Sequence, residues 1–421
     1  MADKLIRNLF LFGESGDLLV KNKRVEKFFP GGTDYSAECE YSAEGLLAFP
    51  SLIDGHVHFR EPGQEYKEDI HSGLFAALGG GFGHVLNMAN TDPVNDNATT
   101  TRFMLEKARN GFPSGPKLYP VGALTKGLLG KELSPMAELA KAGCKAFSND
   151  GLPVANGGIF RHGMEYAAGL DRVVIDHCQD PDFCGSGCMN EGELSALLGL
   201  PGDPVLSESV QVARDILLSQ YLNIPVHLAH ISCRQSVELI AWAKEKSIPV
   251  SAETCPHYLF LTEEEVQSFN TLAKVNPPLR TNDDIEALRQ AVRTGIIDIV
   301  VTDHAPHASF EKDQPFSSAP NGISGLDTAF TLLYSLVPEI LSIEDILRLC
   351  LKRPRQIYGI EASTLAPGEK ADFFLFDPNE VWTVSAQSML SRGKNTPFLG
   401  RELIGRVKKH FIGGEPVFSR N

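Results

Sequence analysis

The 421-residue chain predicts an α/β protein, a closed (β/α)8 TIM-type barrel carrying a small β-domain formed by both termini. Three observations carry this prediction. From about Leu46 onward, short runs rich in Val and Ile alternate with amphipathic helical patterns, the grammar of a parallel sheet covered by helices. Eight such runs suggest a sheet that closes on itself. The two ends, Met1 to Tyr41 and Pro367 to Asn421, carry instead Gly, Pro and short alternating strands without long helical periods.

In chain order, the segment Met1 to Phe12 mixes Asp3, Lys4 and Arg7 with short apolar runs, which is neither a signal peptide nor a membrane span. The barrel strands are expected at Leu46 to Ile53, Gly83 to Met88, Lys117 to Gly122, Lys145 to Phe147, Val173 to Ile175, Pro225 to Leu228, Pro249 to Ala252 and Ile297 to Val301. Between them, Ser207 to Tyr221 places Val210, Ala213 and Leu217 on one helical face, and Ser236 to Lys246 ends in charged residues. Such helices would form the outer ring. The run Gly79-Gly80-Gly81-Phe82-Gly83 precedes a strand instead of opening a helix after one, so it reads as a helix-ending turn and not as a phosphate loop. Beyond the barrel, Gly368 to Asp372 is a turn feeding the strand Phe373 to Phe376, and Lys409 to Ile412 is a second clear strand. The division is then 1–45 and 365–421 for the β-domain and 46–364 for the barrel.

Composition excludes several classes. A net charge of −14 and few clusters of Lys and Arg argue against nucleic acid or an acidic membrane surface as partner. No apolar stretch approaches membrane length. Eight thinly spread cysteines point to reduced thiols and a cytoplasmic setting. The one close pair, Cys184 and Cys188, lacks two good further ligands nearby and reads as a surface loop.

The strongest local signal is Asp54-Gly55-His56-Val57-His58-Phe59-Arg60, directly after the first apolar strand. Histidines at i and i+2 on a continuing strand project to the same side, so both imidazoles can reach one metal ion. Later strand ends carry further metal-compatible groups: Asp150, His177, His230 and Asp303. In a (β/α)8 barrel the carboxyl ends of the strands converge on one rim, where four histidines and two carboxylates make a site for two zinc ions.

With these motifs in view, the chain resembles the amidohydrolase superfamily over nearly its whole length, and within it the bacterial, type I dihydroorotase family. The resemblance rests on His56-Val57-His58-Phe59-Arg60, Asn87-Met88-Ala89-Asn90-Thr91-Asp92-Pro93, Phe147-Ser148-Asn149-Asp150-Gly151, Asn276-Pro277-Pro278-Leu279-Arg280 and Asp303-His304-Ala305-Pro306-His307, together with the closing Asn395-Thr396-Pro397-Phe398 and Gly400. It implies two zinc ions per chain, bridged by Asp150 and a hydroxide. His56, His58, Asp150 and Asp303 would hold one, and Asp150, His177 and His230 the other. It further implies that Arg60, Asn90 and His307 recognise the substrate carboxylate, with His58 also at the substrate. Asn276 and the backbone around Asn321-Gly322 would meet the pyrimidine amides, and Asp303 would carry the proton. Lys145 is the nearest lysine to the strand-four motif, but it sits too early in the strand to read as a carboxylated bridge. The chain departs from the family pattern at Asn149, where paired aspartates are common, and at Asn321, where a Phe-Gly is usual.

The reaction implied is reversible hydrolysis of L-dihydroorotate to N-carbamoyl-L-aspartate in pyrimidine biosynthesis. Two other readings compete with it: another cyclic amidase such as a hydantoinase or allantoinase, and a silent scaffold for aspartate transcarbamoylase, which would tend to lose metal ligands. The expected partner is the small-molecule substrate; a homodimer mate and aspartate transcarbamoylase are further candidates that the sequence leaves open. His71, His84, His162, His227, His257, His304 and His410 read as structural or surface, His304 being the one placed to act behind a ligand. The segment from Ala308 to Pro320 suits a lid.

Overall fold

The computed structural model describes residues 3–11 and 13–420; of the N-terminal segment read above, Met1, Ala2 and Phe12 lie outside the described residues, as does Asn421. The strands in chain order are β1 (Lys4–Leu11), β2 (Glu14–Lys21), β3 (Arg24–Pro30), β4 (Cys39–Ser42), β5 (Leu47–Pro50), β6 (Leu52–Val57), β7 (Phe82–Asn87), β8 (Lys117–Pro120), β9 (Gly122–Ala123), β10 (Ala146–Ser148), β11 (Val173–Asp176), β12 (Met189–Asn190), β13 (Gly202–Asp203), β14 (Val226–Leu228), β15 (Val250–Thr254), β16 (Ile299–Val300), β17 (Phe373–Thr383), β18 (Glu402–Ile412) and β19 (Glu415–Ser419).

Eight parallel segments follow one another around a barrel. β6, β7 and β8 are hydrogen-bonded in that order, and β9, β10, β11, β14, β15 and β16 continue the circuit. β8 and β9 are two parts of one strand interrupted at Val121, whose N–H still donates to Asn87 across the barrel wall. A parallel bridge between Val57 and His304 closes the ring. Asp54 reinforces the closure: its carboxylate accepts from the Thr302 amide at 3.1 Å and the Thr302 hydroxyl at 2.6 Å, and burial pushes its pKa up to about 6. Nearly every residue of these strands is buried, as a wall covered on both faces requires, with Asp54, His56, His227 and Glu253 set among the Val, Ile, Leu and Phe.

The second body is an eight-stranded sheet in the order β19-β18-β17-β5-β1-β2-β3, with β4 also paired to β1. Both termini contribute, and they meet at β5. The strand expected over Leu46 to Ile53 is therefore two strands. Leu47–Pro50 pairs antiparallel with β17 in the terminal sheet, and only from Leu52 does the chain enter the barrel. The break falls at Ser51, whose hydroxyl meets His410 at 2.6 Å. Phe49, Phe330, Phe374 and Phe376 fill the joint between sheet and barrel, with ring centroids 4.8 to 6.3 Å apart. Each such buried ring contributes roughly 1.5–3 kcal/mol of burial.

The glycine run ends the helix Ile70–Gly79 as expected, with Gly81 in the left-handed region at φ +91° before β7 begins. One helix presents a different face from the one its sequence suggests. Over Val205–Leu222, Leu217 and Tyr221 point outward at 57% and 75% exposure, while Glu208, Val212, Asp215 and Ile216 face the barrel. The buried polar positions are tolerated because each has partners: Glu208 accepts from the Ser232 and Cys233 amides, and Asp215 receives Arg214.

Candidate active site

Each chemistry-bearing side chain stands at or just past the carboxyl end of a barrel strand. His56 ends β6 with Val57, and His58 follows, its amide donating to the His304 carbonyl at 2.8 Å. Asp150 follows β10, His177 follows β11, His230 follows β14 and Asp303 follows β16. His230 and Asp303 adopt left-handed backbone conformations, with φ of +33° and +46°. For non-glycine residues that conformation costs about 1–3 kcal/mol, and it turns both side chains off their strands toward the barrel axis.

Asp150 lies at the centre. Its Oδ1 is 3.3 Å from His56 Nε2, 3.4 Å from His177 Nδ1 and 3.4 Å from His230 Nε2, while Oδ2 is 3.4 Å from His58 Nε2. Asp303 Oδ1 stands 3.0 Å from His58 Nε2 and 3.6 Å from His56 Nε2. Two buried triads, His56–His58–Asp150 and Asp150–His177–His230, thus share one carboxylate.

The protonation pattern shows what these groups await. His56 Nδ1 donates to Glu253 Oε1 at 2.7 Å and His58 Nδ1 to Asn90 Oδ1 at 2.8 Å, so in neutral rings both Nε2 lone pairs face carboxylate oxygens. His56 Nε2, His177 Nδ1, His230 Nε2 and Asp150 Oδ1 are buried without a hydrogen-bond partner. Acceptors converging on acceptors in a dry site call for cations. Gaps of this size match the edge, about 3.3 Å, of a tetrahedron with zinc–ligand bonds of about 2.0–2.1 Å. The donor set fits two zinc ions sharing Asp150.

Every residue expected at the site except His56 lines one pocket of 240 Å³; His56 lies beneath it, fully buried. Arg60 donates through Nε to the Pro306 carbonyl at 3.3 Å, which leaves the two terminal nitrogens of its fork for a ligand. The Asn90 carbonyl oxygen is committed to His58, so its amide N–H₂ is the group left to donate. Burial, reinforced by Arg60, Lys312 and Lys67, pulls the His307 pKa down to about 2; the neutral ring donates from Nε2 to the Asn321 carbonyl at 2.8 Å. The Asn276 and Gln179 amides pair with each other at 2.9 Å, and both reach His177 Nε2. Gly322 requires glycine, since at φ +142° a Cβ would stand 2.7 Å from the Ala305 carbonyl. Its N–H is already given to Lys274 and its carbonyl to Asn395, so a ligand meeting this backbone would use a remaining lone pair or the neighbouring Asn321 N–H.

Comparison with known proteins decides between the architectures that use such a site. The family model described as dihydro-orotase-like matches residues 45–236. The dihydroorotase of Geobacter metallireducens is 44% identical over 405 residues, spanning 96% of this chain and 95% of its own length. That of Syntrophus aciditrophicus is 44% identical over 379 residues, spanning 90% and 88%. The chain belongs to the dihydroorotase family. Among solved structures, the L-hydantoinase (dihydropyrimidinase) from Arthrobacter aurescens matches 100% of this chain and 97% of its own, with a TM-score of 0.87 at 22% identity. A D-hydantoinase matches 99% and 95% with a TM-score of 0.81 at 21% identity. These two likenesses show the (β/α)8 barrel with its terminal β-domain.

Several features of this dihydroorotase-family site were not apparent from sequence. Glu253, on β15, accepts from His56 at 2.7 Å and from His227 at 3.0 Å. Burial alone would raise its pKa, but the two imidazoles hold it well below the carboxylate range. His227, read as merely structural, thus supports a ligand; an acidic residue near the end of the strand beside His227 and His230 was the available signal. Gln179, two residues after His177, was likewise missed. Asn395 from the C-terminal segment reaches the rim, accepting from the His307 amide at 2.8 Å and donating to Ala305 and Gly322 carbonyls at 3.0 and 2.9 Å. The Asn149 departure leaves the bridge untouched. Its side chain accepts from Thr125 and donates to the Leu128 carbonyl at 3.1 Å, a bond that an ionised aspartate could not make. Lys145 points away, its Nζ 3.5 Å from the Gly359 carbonyl, and is not a bridging ligand. His304 meets a proposed ligand through its backbone, its carbonyl accepting from the His58 amide at 2.8 Å, while its ring is engaged elsewhere: Nδ1 accepts from the Gly325 amide, and Nε2 lies 3.4 Å from Glu68.

Proposed function

We propose that this chain is a dihydroorotase, hydrolysing L-dihydroorotate reversibly to N-carbamoyl-L-aspartate. The observation that carries the reading is the shared carboxylate of Asp150 between two histidine pairs, at the floor of a pocket whose wall presents the unpaired fork of Arg60. His56, His58, Asp150 and Asp303 would hold one zinc ion, and Asp150, His177 and His230 the other. Bound there, zinc supplies Lewis acidity and lowers the pKa of water from about 15.7 to about 7.

The side chains divide the remaining work. Arg60, through two parallel hydrogen bonds, fixes the ring carboxylate, assisted by the Asn90 amide and by His307. This orients the ring amide over the shared aspartate. Asp303 stands 3.0 Å from His58 Nε2 and lines the pocket, and as a carboxylate at the zinc site it would enter the reaction as a base. It takes a proton from the attacking water as oxygen adds to the amide carbon, and returns it to the ring nitrogen as the C–N bond breaks. Asn276 positions His177 while facing the ring amides. Ring closure runs the same proton path backwards.

The reading extends to a homodimer and to association with aspartate transcarbamoylase, distinguishable by light scattering of the chain alone and mixed with that enzyme. Eight free cysteines accord with a cytoplasmic setting, and no helix among the described residues is long and apolar enough to cross a membrane. Turnover measured side by side on L-dihydroorotate, hydantoin and allantoin tests the substrate. A preference for dihydroorotate of at least a hundredfold in kcat/KM is expected, since the uncharged rings cannot use Arg60. Equal or better turnover of either rival ring would reassign the substrate.

A further inference from the structure

At the opposite end of the barrel from the metal centre lies a cleft of 620 Å³, larger than the catalytic pocket, between β8, the helix Ala98–Gly111 and the terminal sheet. Five cationic residues line it: Lys23, Arg109, Lys117, Lys145 and Lys370. Asp372 is the one acidic residue among its lining, and one of its oxygens already accepts from the Gly413 amide at 2.6 Å. In a chain of net charge −14, this concentration is against the trend of the whole surface.

The cations are also unspent. No ion pair and no hydrogen bond to an acceptor is made by the side chains of Lys23, Arg109, Lys117 or Lys370 among the described residues, and Lys145 has only the long contact to Gly359 and the ring of Tyr119. Lys117 opens β8 and is only partly exposed, with the Lys370 amine beside it; burial first, and that neighbouring charge second, lower its pKa. Like charges packed this closely repel, and a bound dianion removes the repulsion. Leu105, Phe112 and Tyr119 form an apolar side to the same cleft. Because Lys117 and Lys145 stand at the amino ends of their strands, nothing bound here reaches the metal centre.

We propose that this cleft is a binding site for a phosphorylated small molecule of nucleotide type. The phosphate lies between Lys117 and Lys370, with Lys23, Arg109 and Lys145 around it, and the flat apolar group lies against Phe112 and Tyr119. Such a ligand ties the barrel to the terminal sheet, since Lys117 belongs to one and Lys23 and Lys370 to the other.

The test is calorimetric titration of the metal-loaded protein with AMP, inorganic phosphate and adenosine at constant ionic strength, alongside thermal unfolding with each. AMP is expected to bind more tightly than phosphate and to raise the unfolding midpoint in proportion to its occupancy, with adenosine binding at least tenfold more weakly. In Lys117→Glu/Lys370→Glu the AMP affinity should fall at least tenfold while dihydroorotate turnover is unchanged. The milder pair Lys23→Glu/Lys370→Glu, at exposed positions, gives the same readout should the first variant fold poorly. Undiminished AMP binding in both variants, or no AMP binding to the parent protein, overturns the site. AMP binding no tighter than phosphate overturns the role of the apolar wall.

Discussion

Asp303 combines two tasks, since its carboxylate stands both beside His58 and within reach of the pocket. Asp303→Asn should therefore lower kcat by about 10²–10⁴-fold, the range for loss of a positioned proton carrier. Near-normal turnover with metal retained would remove it from that role. Arg60→Lys tests carboxylate recognition, because a single ammonium cannot reproduce a two-pronged fork. The expected result is a rise in KM for dihydroorotate of roughly tenfold or more, corresponding to about 1.4 kcal/mol or more, with a smaller change in kcat. Glu253 touches no substrate, yet it fixes the tautomer of His56. Glu253→Gln should weaken zinc affinity by about 10–100-fold, read by competition with a chelating dye. Unaltered affinity would mean that the His56 ring is held by packing alone.

At the scale of elements, the rim depends on segments far apart in the chain. The Asn395 side chain joins the loop after β16 to the glycine turn at Gly322 through four hydrogen bonds, counting the one from the Ser324 hydroxyl. Asn395→Ala leaves buried carbonyls without donors and should destabilise the fold by about 1–3 kcal/mol, while raising KM through the displaced His307. A normal KM in a destabilised variant would confine Asn395 to a structural part. The metal-binding strand ends were legible in sequence because each ligand follows an apolar run, so the pattern repeats along the chain. Glu253 and Gln179 were not, because their partners His227, His56 and Asn276 come from other strands and only closure of the barrel brings them together. The Val205–Leu222 helix was misread for a related reason: its buried face is polar, and apolar periodicity alone points the wrong way. β5 was misplaced because Leu46 to Ile53 is apolar except for Ser51, so that the break at Pro50-Ser51 between two sheets is a weak signal in an otherwise continuous run.

For the whole molecule, the same principle explains the basic cleft, whose five cations are separated in sequence and gathered only by the packing of barrel and sheet. Stability should also carry a pH signature. Burial holds His84, His307 and His410 at pKa values of about 3, about 2 and about 4 in the folded protein, below the ordinary ~6.5. The unfolded chain therefore binds protons that the folded chain refuses. Stability from these groups is complete above pH ~6.5 and is lost as pH falls toward the folded values, by up to about 1.4 kcal/mol per pH unit for each ring. Chemical denaturation at pH 7.5, 6 and 5 should show a progressive fall, and a flat profile would mean that these rings titrate freely.

The central claim, a two-zinc site shared through Asp150 that hydrolyses dihydroorotate, is tested most directly by metal content and turnover on one purified sample. Elemental analysis should find about two zinc ions per chain, and L-dihydroorotate hydrolysis should vanish on chelation and return when zinc is restored. Two zinc ions with no dihydroorotate turnover, or full turnover that survives complete removal of metal, would contradict the account.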